Sequence, residues 1–188
     1  MAGGPSNIEV RDVSPVICVN RDIRRYPNAK YFLTCDHSFT MRNRDEISKF
    51  KGTKVFVNNL KNDRIKRENI DIYDMVISTD KHSGFGRTWT DFGTGFNSGF
   101  SAVQFAILMG YDQIHMYGID LNRVTNPQAK SETHWHEGYN FPNSHVDEVL
   151  DKFFHEFKRA IEESEFVEFI CHSSTSRLLT VKGVKYEA

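Results

Sequence analysis

Asn97-Ser98-Gly99-Phe100-Ser101-Ala102-Val103-Gln104-Phe105-Ala106-Ile107-Leu108-Met109-Gly110, followed after three residues by Ile114-His115-Met116-Tyr117-Gly118-Ile119-Asp120, is the stretch that decides the fold. It reads as a glycine turn, a buried helix from Gly99 to Met109, a glycine stop, and a short strand over Gln113–Tyr117 that ends in Gly-x-Asp. In open α/β sheets, helix N-termini and the carboxyl ends of parallel strands are where phosphates and nucleotides bind. The parts that build such a site stand next to one another here.

Working outward, Pro15 to Val19 is an apolar run that stops at Asn20, and Tyr31 to Cys35 is a second that stops at Asp36. Short apolar runs bounded by polar or turn residues read as buried strands. Thr53 to Val57 reads as a third strand, Asp71 to Ser78 as a fourth, Phe166 to Cys171 as a further one, and Leu178 to Tyr186 as the last. Ser38 to Lys49 is charged and reads as helical. From Ser144 to about Glu163, Val146, Val149, Leu150, Phe153, Phe154, Phe157, Ala160 and Ile161 recur at the helical period. Ser144 followed by Asp147 suggests a capping box at its start. Strands alternating with helices predict a Rossmann-like, three-layer α/β/α domain with a mostly parallel sheet.

The 188 residues suit one domain spanning 1–188. A formal net charge of -1 argues against nucleic acid as the main partner, since phosphate neutralisation needs a clustered basic excess. Lys61, Arg64, Lys66 and Arg67 lie close together, but Asp63 and Glu68 dilute them into a solvated helix face. Cys18, Cys35 and Cys171 have no Cys-x-x-Cys spacing and read as free thiols of a reducing compartment, the cytoplasm. No run of about 18 apolar residues is present, so no membrane span is expected, and the N-terminus lacks the features of a secretory leader. An oligomer is compatible with the sequence.

Five groups of residues stand out as carriers of chemistry. Gly3-Gly4-Pro5-Ser6 lets backbone amides approach a phosphate, with Ser6 as a cap or donor. Only Met1 and Ala2 precede it, so the strand expected before such a loop is very short or missing. Asn20 and Asp36, each directly after a strand, read either as turn-forming residues or as contacts to a base or ribose. Asn97, Ser98 and Gly99 open the central helix, where a simple N-cap explains them equally well. Gly118 and Asp120 fall on the same edge, where Asp120 suits a ribose, a metal or a substrate hydroxyl. His134-Trp135-His136-Glu137 reads as an ordinary polar loop, as a site histidine acting as general base near neutral pH, or as a metal-binding cluster, although no third ligand at a known spacing supports a closed zinc site. His172 and Ser174 are further candidates, whereas His145 and His155 sit on the long helix and read as structural. The segment between Lys81 and Asn97 carries Gly84, Gly86, Gly93 and Gly95 among Phe85, Trp89, Phe92 and Phe96, and reads as site-forming or mobile rather than core.

Together these elements resemble the bacterial sialyltransferases that use CMP-sialic acid, and the related 6-hydroxymethylpterin diphosphokinase-like domains, which include phage-encoded members. The resemblance rests on Gly-Gly-Pro-Ser, the strand ends at Asn20 and Asp36, Asn97-Ser98-Gly99 with its helix, Gly118-Ile119-Asp120, the histidine-rich loop, and Ser174 with Ser176-Arg177. It implies that Gly3 and Gly4 line a phosphate, that Asn20 and Asp36 contact the nucleoside, and that Asn97, Ser98 and Gly99 lie near the sugar or phosphate. It implies His136, or His134, as general base, a nucleotide-sugar donor that is CMP-linked in that family, an unknown acceptor, and no required metal. Leu121 and Asn122 stand where the sialyltransferases carry tyrosines for the leaving phosphate, Gly3 replaces their asparagine, and Gly95 replaces their arginine. Asp36 replaces a neutral amide and would repel a second anion unless paired or coordinating a cation. Under the diphosphokinase-like alternative, Asp36 and Asp120 would hold the magnesium of Mg-ATP. A third expectation is a non-catalytic accessory protein that keeps the fold.

Overall fold

The computed structural model describes residues 15–60, 70–123 and 145–188. Its strands are β1 (Ile17–Val19), β2 (Tyr31–Thr34), β3 (Thr53–Asn59), β4 (Met75–Thr79), β5 (Gln113–Met116), β6 (Glu168–Cys171) and β7 (Val184–Tyr186). The helices are α1 (His37–Arg42), α2 (Arg44–Ser48), α3 (Ser98–Leu108) and α4 (Val146–Glu162). Among the described residues every strand pairing is parallel, in the orders β1-β2-β3-β4 and β5-β6-β7. The expected Rossmann-like α/β fold with parallel strands is therefore present, with the strands grouped into a four-stranded and a three-stranded sheet.

The four-stranded sheet is covered on both faces, which is why its strands read as continuous apolar runs rather than alternating ones. Cys18, Phe32 and Phe56 point to one face and pack with Phe39 of α1, Ile47 of α2, Phe50 and Tyr73. Val19, Leu33, Val55 and Val57 point to the other and pack with Phe92 and with Ala102 and Phe105 of α3. These are the three layers that the strand–helix alternation predicts. In the second sheet, Ile114, Met116, Phe169 and Cys171 join Phe154, Phe157, Ala160 and Ile161 of α4.

Helix α3 belongs to both cores. Phe100, Val103, Ala106 and Ile107 face the second sheet's cluster, while Ala102 and Phe105 face the first. Every residue from Ser98 to Ile107 is buried, which explains why the helix is apolar all round and shows no stripe. α4 has one buried side and keeps the clean stripe.

Several boundaries differ from the sequence reading. The single helix over 38–49 breaks at Asn43, whose Nδ2 donates to the Phe39 carbonyl (2.8 Å) and whose backbone caps both α1 and α2. Asparagine ends helices in this way because its amide competes with the backbone for the same partners. The last strand covers only Val184–Tyr186, because Arg177–Thr180 forms a 3-10 turn capped by Ser176 and Gly183 follows at a φ of 95°. α4 begins at Val146, its N-cap position is His145 with no side-chain cap bond, and Ser144 of the expected capping box lies outside the described residues. The three thiols are free, as the spacing implied. Among the described residues no helix is long and apolar enough to cross a membrane.

Candidate functional site

Asn20 ends β1 in the left-handed region, at a φ of 50°, and begins a 3-10 turn. Asparagine tolerates that conformation better than most residues. Its Oδ1 accepts from the Thr34 hydroxyl of β2 (2.7 Å) and from the Ser98 hydroxyl at the start of α3 (3.3 Å). Ser98 Oγ also accepts the Cys35 backbone N–H (3.1 Å) and lies 3.2 Å from Cys35 Sγ. Each hydroxyl has one proton, and if Ser98 gives its proton to Asn20, the Cys35 thiol donates to Ser98. Thr34 Oγ1 accepts the Asp36 N–H (3.0 Å). One network thus joins the carboxyl ends of β1 and β2 to the N-terminus of α3.

The network settles the local role of each residue. Asn97 is the N-cap of α3: its Oδ1 accepts from the backbone N–H of Gly99 (2.7 Å) and Phe100 (3.1 Å). Ser98 is therefore not the cap, and the Gly99 amide is already occupied. Asp36 is the N-cap of α1, accepting from Phe39 N–H (2.9 Å). Burial pushes the Cys35 thiol up to about 11, against a smaller lowering by Ser98. The residue is only half-buried, but its sulfur is enclosed, so it stays a protonated donor and is no thiolate nucleophile at neutral pH. Thr34 and Cys35 were invisible as site residues because both read as strand interior. Only their position just before Asp36 hinted at them.

Asp120 is held from the second sheet. Gly118 takes a φ of 66° and Leu121 one of 56°, so the chain after β5 turns sharply. The buried Asp120 carboxylate accepts from Ser173 Oγ (2.6 Å), and its carbonyl accepts from Arg177 N–H (2.9 Å). Ser176 Oγ donates to the Ile119 carbonyl (2.6 Å). Ser173, rather than the exposed Ser174, is thus the serine that meets Asp120. Gly3, Gly4, Ser6, His134 and His136 lie outside the described residues.

The glycine–aromatic segment leading into α3 is stitched down. Gln104, fully buried on α3, accepts from Gly93 N–H (3.3 Å) and donates to the Gly86 carbonyl (3.1 Å). The buried Glu156 of α4 accepts from Gly84 N–H (2.7 Å), and Thr79 Oγ1 donates to the Phe92 carbonyl. Phe92 is fully buried, so this part of the segment is core, contrary to the sequence reading. Gly95 and Phe96 are both left-handed, at 53° and 56°, and deliver Asn97 to its cap. The exposed Phe96 ring stacks on His82 (5.2 Å between centroids, 8° apart), with the Lys152 ammonium 3.3 Å from its centre.

Among the described residues, one group of three has ligand atoms close enough to share a cation: His115, His172 and Glu187, whose donor atoms lie within 4.8 Å of one another. No family model, no curated protein and no solved structure matches this chain.

Proposed function

We propose that the chain binds a nucleotide or nucleotide-sugar at the carboxyl rim of the four-stranded sheet and transfers the sugar to an acceptor hydroxyl, as a sialyltransferase-like enzyme does. The observation that carries the reading is the left-handed Asn20 linked to Thr34 and Ser98. Because Oδ1 takes both hydroxyls, the two Nδ2 protons are the recognition end of the side chain. A pair of amide donors at a strand terminus suits the carbonyl and ring-nitrogen acceptors of a pyrimidine. In the proposed reaction, His136 or His134 takes the acceptor's proton, the freed oxygen attacks the anomeric carbon, and the nucleotide leaves with the electrons of the broken bond. Hydrogen bonds to the leaving phosphate stabilise its charge without a metal.

The magnesium-dependent diphosphokinase reading asks Asp36 and Asp120 to share an ion. Here Asp36 caps α1 while Asp120 takes the Ser173 hydroxyl, which favours the transferase.

Thermal-shift measurements with CMP, UDP, ADP and ATP, each with and without magnesium, test the assignment. A ligand at about one hundred times its Kd stabilises by about 2.7 kcal/mol. Stabilisation by a pyrimidine nucleotide without metal is the expected result, and His136→Ala should keep it while losing turnover. Stabilisation only by ATP with magnesium would replace the transferase with the kinase, and no shift with any nucleotide would leave the accessory protein.

A further inference from the structure

One face of the second sheet is apolar, and the other carries Gln113, His115, Glu168, His172, Lys185 and Glu187 around the buried Ile170 and Tyr117. Ile114, Met116, Phe169 and Cys171 fill the core, so their neighbours along each strand point the opposite way. His115 is level with Ile170 of β6, and Cys171 is level with Tyr186 of β7. His172 and Glu187, one residue beyond that last pair, therefore share this other face with His115. This geometry does not depend on the nucleotide reading.

His115 Nδ1 and His172 Nε2 face each other at 2.8 Å. A chain of contacts sets the protonation of the first ring. Lys185 pairs with Glu168, and Glu168 Oε2 accepts from Gln113 Nε2 (2.6 Å). That fixes the Gln113 amide with its oxygen toward His115, where Oε1 accepts from Nε2–H (3.2 Å). His115 Nδ1 consequently carries the lone pair. The His172 ring lies flat on Tyr117, with centroids 4.1 Å apart and planes 2° apart, while His115 meets it edge to edge, with centroids 5.1 Å apart and planes 20° apart. Orienting a ligating imidazole through its second nitrogen and locking its plane is what outer-shell residues do at metal centres.

We propose that His115 Nδ1, His172 Nε2 and the Glu187 carboxylate form a binding site for a divalent cation of the zinc type, with an open position for water or a further ligand. Two imidazoles and one carboxylate suit zinc and its transition-metal neighbours, whereas magnesium and calcium prefer all-oxygen sets. Tetrahedral zinc, with bonds of about 2.0–2.1 Å, holds its ligand atoms about 3.3 Å apart. To share an ion the two nitrogens need to part by about half an ångström and the rings to swivel so that both nitrogens aim at the ion rather than at each other, and the exposed Glu187 side chain closes the third corner. Without an ion, the His172 Nε2 proton bridges the pair. On binding, that proton leaves Nε2, and His172 takes the Nδ1–H form.

The test uses the full, untagged chain, titrated calorimetrically with zinc chloride and, separately, with magnesium chloride. One zinc per chain is expected, with magnesium silent. His115→Ala and His172→Ala should each weaken zinc at least about tenfold, and Gln113→Ala and Glu187→Gln about tenfold. Glu187→Gln alters an exposed side chain, so it reads the site even if a histidine variant fails to fold. A His134→Ala/His136→Ala double variant should keep the wild-type affinity. The proposal is overturned by an absence of zinc binding, by unchanged affinity in folded His115→Ala and Glu187→Gln proteins, or by loss of binding in the His134/His136 variant instead.

Discussion

Removing the Ser98 hydroxyl tests whether the rim is one connected network. In Ser98→Ala the Cys35 N–H loses its acceptor, and Asn20 Oδ1 loses one of its two donors but keeps Thr34. Stranding an enclosed N–H costs about 1–3 kcal/mol, and the 3.3 Å bond to Asn20 adds little, so a loss of about 2 kcal/mol is expected. Unfolding entropy of about 2.1 cal/mol/K per residue gives this chain roughly 0.4 kcal/mol/K, so Tm should fall by about 5 °C. The partner variant is Asn20→Gly, because glycine accepts the φ of 50° without strain and isolates the amide. It should also cost about 2 kcal/mol, since Thr34 is fully buried and loses its acceptor. Urea unfolding of both single variants and the double variant closes a cycle, with an expected coupling of about 0.5–1 kcal/mol. Additivity to within about 0.3 kcal/mol would show that the two side chains act independently and would refute the network.

Gly95→Ala should destabilise by at least about 2 kcal/mol in urea unfolding, because an added Cβ falls 2.2 Å from Phe100 Cδ1 at a φ of 53°. Phe100 is fully buried and has no room to retreat; a loss under about 0.5 kcal/mol would contradict that packing. Gln104→Leu leaves the Gly93 N–H and the Gly86 carbonyl without partners, costing about 2–4 kcal/mol, and should speed hydrogen exchange at the Gly93 amide. Unchanged exchange there would mean that something else pins the segment. Burial raises the thiols of Cys18 to about 12 and Cys35 to about 11 from an ordinary 9.0. The unfolded chain then releases these protons first, so stability is whole below about pH 9 and falls as pH rises towards 11 and 12. Cys35→Ala should flatten part of that decline in urea midpoints measured from pH 8 to 11, and an identical slope in both proteins would reject the linkage.

What was legible in the sequence was whatever a period or a terminator announces. Apolar runs ended by Asn20 and Asp36 gave two strands and their rim, and the stripe from Val146 to Ile161 gave α4. The short run over Gln113–Tyr117 before Gly-x-Asp gave β5. The rest depended on separations that local pattern does not encode. Ser98 meets Asn20 across 78 positions, and His115 meets His172 across 57. Asp120 read as lying on the same edge as Asn97-Ser98-Gly99, because it closes a strand with a polar Gly-x-Asp. Its contacts run to Ser173 and Arg177 because β5 pairs with β6, in the other sheet. The continuous apolar character of α3 concealed its double duty, since a helix buried on two sides has no preferred stripe to read.

The left-handed residues sharpen the case for the first rim. Asn20 sits at the end of β1, Phe96 at the entry to α3 and Leu121 in the turn after β5; for the two larger residues the conformation costs about 1–3 kcal/mol that glycine would avoid, while asparagine tolerates it better. For two of them the side chain supplies the reason. Leu121 is buried in the core beside β5, and Phe96 lies between the His82 ring and the Lys152 ammonium. Glycine at either place would lose that packing. The Asn20 side chain instead faces two hydroxyls, one from β2 and one from α3. The Oδ1 end has a structural duty, since the fully buried Thr34 hydroxyl depends on it, whereas the Nδ2 end is not needed for that duty. With Oδ1 held by the two hydroxyls, the two Nδ2 donors are held in a set direction. A fixed pair of donors, positioned by a helix that two cores clamp, is the pre-organisation that recognition of a flat polar ring requires.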